Sequence, residues 1–207
     1  MGKIKYLLSK VIKKSHLSSI KNSKIDKTAK IEAESLVVNS SFGRYSYCGY
    51  GCEIVNTLIG NFCSISNNVI IGPSQHPLRW VSSSSAFYKG RDSISKRLAI
   101  LEKPLNAAVT ILESDVWVGT NVLIKGGVHI GTGSVIGMGS VVTHDVPPYS
   151  IVCGNPAKLI RKRFDDKTIK ELLESEWWLE SDEIIKECSG LIDNPSAFLK
   201  KIQELKK

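Results

Sequence analysis

No run of about 18 consecutive apolar residues, the length that carries a helix across a bilayer, occurs in the 207-residue chain. Met1 to Ile20 also lacks the long apolar centre and small-residue cleavage site of a secretory signal. Both absences point to the cytoplasm as the expected location. Cysteine is scarce: Cys48, Cys52, Cys63, Cys153 and Cys188 form an odd set with no paired zinc-binding motif. Neither a disulfide framework nor a metal site is expected, and the five read as reduced thiols. The lysines of the N-terminus lack a pattern of interleaved aromatics and match no recognition motif, which argues against nucleic acid as a partner.

Present instead are 16 glycines among abundant Val, Ile and Ser, in a chain that is 42% hydrophobic and 23% charged. That balance suits one domain of short strands joined by tight turns. The net charge of +8 is concentrated at one end: Lys3, Lys5, Lys10, Lys13, Lys14, Lys21, Lys24, Lys27 and Lys30 crowd the first 30 residues. Leu7, Leu8, Val11 and Ile12 recur among them at helical spacing. Two readings stand, a basic amphipathic helix resting peripherally on the anionic inner face of a membrane, and a solvated helix capping the domain.

The middle of the chain repeats. From Leu112 it divides into sixes opened by Leu112, Val118, Ile124, Ile130, Ile136 and Val142, with Gly119, Gly131 and Gly137 second in their blocks. Fifth positions hold Val116, Val122, Val128, Ser134, Ser140 and Val146. Earlier openers fall at Ile25, Ile31, Val37, Phe42, Cys48, Ile54, Ile59, Ile65 and Ile71, with five-residue blocks at 37–41 and 54–58 that suggest one shortened turn used twice. A period of six matches neither a helix nor an alternating strand, so each block is a strand plus a turn. Three blocks per triangular coil would turn openers and fifth positions inward, to stack on their equivalents about 4.8 Å along the axis. Cys48 is then an opener and Cys52 and Cys63 are fifth-position residues, small apolar core filling.

Residues 73–108 break the rhythm and are long for a plain connection, the mark of a functional loop. His76, Arg79, Trp80, Phe87 and Tyr88 lie in it. After Pro148 the pattern changes again, and Asp165 to Lys207 reads as helical, with Trp177 and Trp178 as packing anchors and the segment covering the sheet edge that an open solenoid leaves. The expected divisions are a basic segment 1–24, a solenoid 25–160 with the insertion 73–108, and a helical segment 161–207.

The runs Val116-Trp117-Val118-Gly119-Thr120-Asn121-Val122, Ile136-Gly137-Met138-Gly139-Ser140 through Val152, and Gly154-Asn155-Pro156-Ala157-Lys158 resemble the hexapeptide-repeat acyltransferases. Ser64-Ile65-Ser66 through His76-Pro77 and Trp80-Val81-Ser82 narrow the likeness to the xenobiotic and chloramphenicol acetyltransferase branch, which includes polysaccharide O-acetyltransferases. The match spans about Ile25 to Trp178. It implies an all-β solenoid, a left-handed parallel β-helix against the usual crossover preference, a homotrimer with sites between subunits, and acetyl-CoA as acyl donor.

Acetyl transfer from a thioester needs the acceptor deprotonated as it attacks. A neutral imidazole suits that task near pH 7, and a positioned base contributes roughly 10² to 10⁴ in rate. His76 occupies the position of the family's catalytic histidine; as a bare loop histidine it would be a turn residue ahead of Pro77. His129 and His144 are expected to point outward from the coil, and His16 lies in the basic tail. The resemblance implies that Trp117, Gly119, Gly137 and Thr143 lie beside the pantetheine arm and that Asn155, Lys158 and Arg161 reach the phosphates. The plain alternative makes the glycines turn residues and Lys158, Arg161, Lys162 and Arg163 a solvated basic patch. For the acceptor, Arg79, Trp80 and Tyr88, joined by Tyr47 and Glu53, are the candidates, with ordinary loop packing as the alternative. Relatives often carry a second His-Pro after Trp-Val-Ser; this chain has Ser83-Ser84-Ser85. The expected activity is O-acetylation of a sugar hydroxyl of a bacterial surface polysaccharide or its precursor. N-acetylation of a nucleotide-linked amino sugar, drug inactivation and a non-catalytic binding module are the alternatives.

Overall fold

The computed structural model describes residue 12 and residues 15–73, 75–90, 94–95, 97–102 and 108–206. Short strands recur every third block on the same side of a triangular coil, giving three parallel sheets. The first face stacks Ser19–Lys21, Leu36–Val38, Glu53–Val55, Ile70–Ile71, Leu123–Ile124 and Val141–Val142. The second stacks Lys24–Ile25, Ser41–Phe42, Thr57–Ile59, Thr110–Leu112 and His129–Ile130. The third stacks Lys30–Ile31, Tyr47–Cys48, Ser64–Ile65, Trp117–Val118, Val135–Ile136 and Ser150–Cys153, and ends in Lys158–Lys162, which runs antiparallel. This is a left-handed parallel β-helix of hexapeptide repeats with helices at its C-terminus.

Register explains the core. Val37, Ile54, Ile71, Ile124 and Val142 pair in one column, and all are buried. Each such side chain contributes about 1.5–3 kcal/mol by leaving water. The fifth-position residues from Val116 to Val146 are buried as expected. So are Cys48, Cys52 and Cys63, and burial pushes the Cys63 thiol up to about 12. Ile25 and Ile31 are only half-buried, and among the described residues no complete coil stacks below them.

Turn chemistry separates two roles. The fourth position of the block adopts the left-handed conformation repeatedly, at Glu34, Tyr45, Phe62, Asn68, Asp115, Asn121 and Gly133 among others. Gly119 and Gly137, at the second position, are absent from the positive-φ set. Their reason is space: a Cβ on Gly119 would sit 2.6 Å from the Met138 nitrogen, and one on Gly137 2.6 Å from the Cys153 Cβ. The shortened turn recurs at Asn22, Asn39 and Asn56, all left-handed, so it is used three times rather than twice.

Two boundaries differ from expectation. The solenoid starts at Ser19, not Ile25, since Ser19–Lys21 already pairs with Leu36–Val38. Lys158–Lys162 crosses the expected division at 160, and the helix that follows it, α1, spans Asp166–Ser175. At the edge of the third face the antiparallel strand Lys158–Lys162 supplies the cover. α1, α2 (Asp182–Cys188) and α3 (Pro195–Leu205) lie instead along the corner between the second and third faces. Arg44 and Asn61 of that corner donate to the Trp178 carbonyl at 3.1 and 3.0 Å, and the Phe62 and Trp177 rings sit 5.1 Å apart. Trp177 and Trp178 are buried there as anchors.

Leu7, Leu8, Val11 and most of the N-terminal lysines lie outside the described residues. Among the described residues no helix is long and apolar enough to cross a membrane.

Candidate active site

The chain leaves the coil after Ile71, on the first face, and rejoins it at Thr110, on the second. The insertion therefore springs from the corner between those faces, and His76 stands at that corner. Gln75 holds it there by donating from Nε2 to the Gly126 carbonyl at 3.3 Å, one coil further on. Beyond, the loop folds on itself. Ser82 Oγ accepts from the Ser84 amide at 3.1 Å, and Ser84 Oγ caps the short turn Ser85–Phe87 by accepting from the Ala86 amide at 3.2 Å. Tyr88–Lys89 then pairs with Leu101–Glu102, joined by a 3.1 Å ion pair between Lys89 and Glu102.

This serine turn aims the Ser83 carbonyl at His76, 2.7 Å from Nδ1. A carbonyl oxygen only accepts, so Nδ1 carries the proton and Nε2 is left with its lone pair. Such an imidazole is in the tautomer a general base requires. The serines at positions 83–85, read in the sequence only as a departure from relatives, thus do structural work on the histidine.

Tyr88 is a correction. Expected beside the acceptor, it has no exposed surface and backs His76, with its hydroxyl 3.2 Å from Nδ1. Trp80 meets the Tyr88 ring edge-on at 6.2 Å and is half-buried, while Arg79 is exposed.

The remaining candidates fall into separate strips. Tyr47, Trp117 and Arg161 project from the third face and line one cavity of about 590 Å³ with Ser64, Asp115, Val135, Ile151, Arg163 and Phe164. Gly119, Gly137 and Asn155 lie in turns at the corner between the third and first faces, where Asn155 is exposed before a cis peptide to Pro156. Thr143 follows the first face, on the same corner as His76, with its hydroxyl 2.9 Å from His144 Nδ1. Glu53 stands on the first face between Leu36 and Ile70. Lys158 is exposed at the end of the third face. The third face is opposite the corner that carries His76.

Arg163 was read as one member of a basic patch, but it is held in place. Its Nη1 donates to Gly133 O at 2.6 Å and to Asp115 Oδ2 at 3.1 Å, and its guanidinium lies 5.3 Å from the Tyr149 and Phe164 rings. Burial raises the Asp115 carboxyl, with Arg163 pulling the other way. The placement of Arg163, Asp115 and Ser64 in one cavity wall escaped sequence reasoning, since only the coil's register brings them together. His129 and His144 are exposed as expected, His129 Nε2 lying 2.7 Å from Glu113 Oε1. Among the described residues no group of three or more His, Cys, Asp or Glu side chains is placed to hold a metal ion.

A solenoid of six-residue repeats with an oriented histidine at a long interruption defines a hexapeptide transferase, and the family described as "Bacterial transferase hexapeptide (six repeats)" matches residues 110–144. The chain belongs to the hexapeptide-repeat acetyltransferases of the chloramphenicol and xenobiotic branch, and it is an acyltransferase. It is 40% identical over 175 residues to a chloramphenicol acetyltransferase of Klebsiella aerogenes, covering 74% of this chain and 82% of the relative. A chloramphenicol acetyltransferase of Morganella morganii is 36% identical over 181 residues, 77% of this chain and 85% of its own. The crystal structure of the polySia specific acetyltransferase NeuO is similar at a TM-score of 0.51 with 33% identity, over 70% of this chain and 65% of NeuO, so about a third of NeuO lies outside the match.

Proposed function

We propose that the protein is an acetyl-CoA-dependent O-acetyltransferase acting on a sugar hydroxyl of a bacterial surface polysaccharide or its precursor. The observation that carries the chemistry is the His76 imidazole with Nδ1 committed to the Ser83 carbonyl. Nε2 takes the proton of the acceptor hydroxyl as its oxygen attacks the thioester carbonyl. The tetrahedral adduct then expels the coenzyme A thiolate, which receives that proton from the imidazolium. Acetyl passes directly between substrates, and no step calls on a metal ion.

The third-face cavity supports the donor assignment, with Trp117 against the pantetheine arm and Arg161 toward the phosphates. Gly119, Gly137, Asn155 and Lys158 complete that proposed path, with Thr143 joining it from the His76 corner of a neighbouring copy. AntD, an N-acyltransferase of similar fold from Bacillus cereus, has been solved with coenzyme A. Arg79, Trp80, Tyr47 and Glu53 are the proposed acceptor contacts. The cavity and His76 lie on opposite sides of the prism, so one chain does not close this site. A homotrimer, in which the third face of one copy meets the His76 corner of the next, supplies the missing wall. The basic N-terminus suits peripheral binding to the inner, anionic face of the membrane, where a lipid-linked precursor would lie. Liposome sedimentation with and without residues 1–20 tests that; equal binding removes the idea.

The sugar assignment leans on the likeness to NeuO. A second reading, acetylation of a small drug, is favoured by the 40% identity with a chloramphenicol acetyltransferase. A panel of polysaccharides, nucleotide-linked amino sugars and chloramphenicol, scored by thiol release from acetyl-CoA, separates the two. Turnover of chloramphenicol alone overturns the sugar reading. His76→Ala should keep assembly and acetyl-CoA binding and lose at least about 10²-fold in kcat. Near-parental activity there would remove the proposed base, and no heat of acetyl-CoA binding in the parent protein would leave a non-catalytic module.

A further inference from the structure

We propose that Tyr88 is a positioning residue for His76: a buried phenol that holds the imidazole from its Nδ1 side so that Nε2 alone faces the reacting groups. The inference rests on the reading of His76 as the base and adds a residue to its support.

Three observations carry it. Tyr88 is wholly buried, although Leu78, Val81 and Phe87 of the same insertion are exposed. Its ring meets the His76 ring edge-on, centroids 6.2 Å apart and planes at 61°, and its other flank is closed by Trp80 at 6.2 Å and 74°. Its hydroxyl oxygen lies 3.2 Å from the nitrogen that the Ser83 carbonyl approaches at 2.7 Å.

The two oxygens do different things. The carbonyl selects the tautomer, because a proton moved to Nε2 would leave two lone pairs facing each other. A carbonyl alone leaves the ring free to swing about that single bond. The phenol oxygen, as second acceptor for the Nδ1 proton, fixes the swing and occupies the space where water would otherwise compete for that proton. Both oxygens also favour the imidazolium formed when Nε2 takes a proton, since Nδ1–H is then a charge-assisted donor. The same logic governs metal-bound histidines, whose second ring nitrogen is held by an outer partner. Tyr88 touches no reacting atom and acts only through His76.

The variant is Tyr88→Phe, which keeps the ring and its edge contacts and removes one oxygen. Loss of one neutral hydrogen bond is worth about 0.5–1.5 kcal/mol, so kcat should fall about 2- to 12-fold with KM for both substrates unchanged. Nitrogen-15 NMR of the histidine rings supplies a readout independent of turnover. In the parent protein above pH 8, His76 should show a protonated Nδ1 and an unprotonated Nε2; in Tyr88→Phe both signals should move toward each other as the ring samples other orientations. Unchanged kcat with unchanged ring shifts would overturn the proposal, and so would a raised acceptor KM with kcat intact, which would return Tyr88 to substrate contact. A protonated Nε2 in the parent spectrum would also overturn the arrangement, since Nδ1 could then donate to neither oxygen. An inactive parent protein showing the expected tautomer would refute the acyl-transfer reading while leaving the clamp standing.

Discussion

Replacing Gly119 by alanine pits two accounts of one residue against each other. Gly119 was a candidate for the coenzyme path, but the coil itself demands a glycine. A Cβ there would lie 2.6 Å from the Met138 nitrogen, 2.8 Å from its Cα and 3.0 Å from the Ile136 oxygen. All three are main-chain atoms of the next coil, held to this one by bonds from Gly119 N to Ile136 O and from Gly139 N to Thr120 O, both 2.9 Å. Relief requires prising two coils apart. Overpacking of this kind costs about 1–3 kcal/mol, and the lower chain entropy of unfolded alanine returns about 0.4–1. A net loss of about 1–2 kcal/mol lowers Tm by roughly 2–8 °C in a chain of this size. Gly139→Ala is the control: its added Cβ meets nothing within 4 Å, leaving only the strain of φ +69°, about 1 kcal/mol. Differential scanning calorimetry at one protein concentration, with KM for acetyl-CoA measured in parallel, compares the two. The stacking argument fails if Gly119→Ala melts no lower than Gly139→Ala. A raised KM without a fall in Tm would hand the residue to the coenzyme.

Other consequences are as direct. Ile54→Ala empties a fully buried core position and should cost about 2–5 kcal/mol in urea unfolding; a loss under about 1 kcal/mol would mean the coils close over the gap. Burial opposes ionisation of Glu113, yet hydrogen bonds from the Thr132 amide and hydroxyl at 2.7 Å and from His129 hold its carboxyl below the ordinary glutamate range. Its stabilisation is therefore present above the unfolded value of about 4.3 and is lost as pH falls through the lower folded value. Glu113→Gln should destabilise at pH 7, with the gap to the parent closing in acid; a gap that widens in acid contradicts the sign. With an aromatic disulfide reagent, only Cys153 should react quickly in the native protein, since Cys48, Cys52, Cys63 and Cys188 are buried. Arg161→Glu should raise KM for acetyl-CoA with kcat little changed, and an unaltered KM would remove Arg161 from the phosphates.

Much of the solenoid was legible because a single physical rule, an inward side chain at every opener and fifth position, is written in each block. Leu112 to Val142 could be placed in the core by counting, and the cysteines with them. The C-terminal helices were legible as helices but not in their position: nothing in Trp177-Trp178 says which corner they pack on, because Arg44 and Asn61, their partners, are more than 100 residues away. Tyr88 illustrates a second limit. An aromatic in a polar loop reads as a surface contact until the loop's own folding buries it. Gly119 and Gly137 illustrate a third, since a glycine for left-handed backbone and a glycine for close approach look alike in a string of letters.

By itself the sequence determined the period, the inward column, the place where the coil is interrupted and the histidine at that interruption, because these depend on residue type and spacing alone. Tertiary structure decided the rest. It set the tautomer of His76 through a carbonyl seven residues away, and it turned Tyr88 from the acceptor toward the imidazole. It also put Trp117 and Arg161 on the face opposite the histidine, leaving the proposed site open along one side. Each of these depends on which groups the coil and its loop bring within a few ångströms, and hydrogen bonds and burial act only at that range.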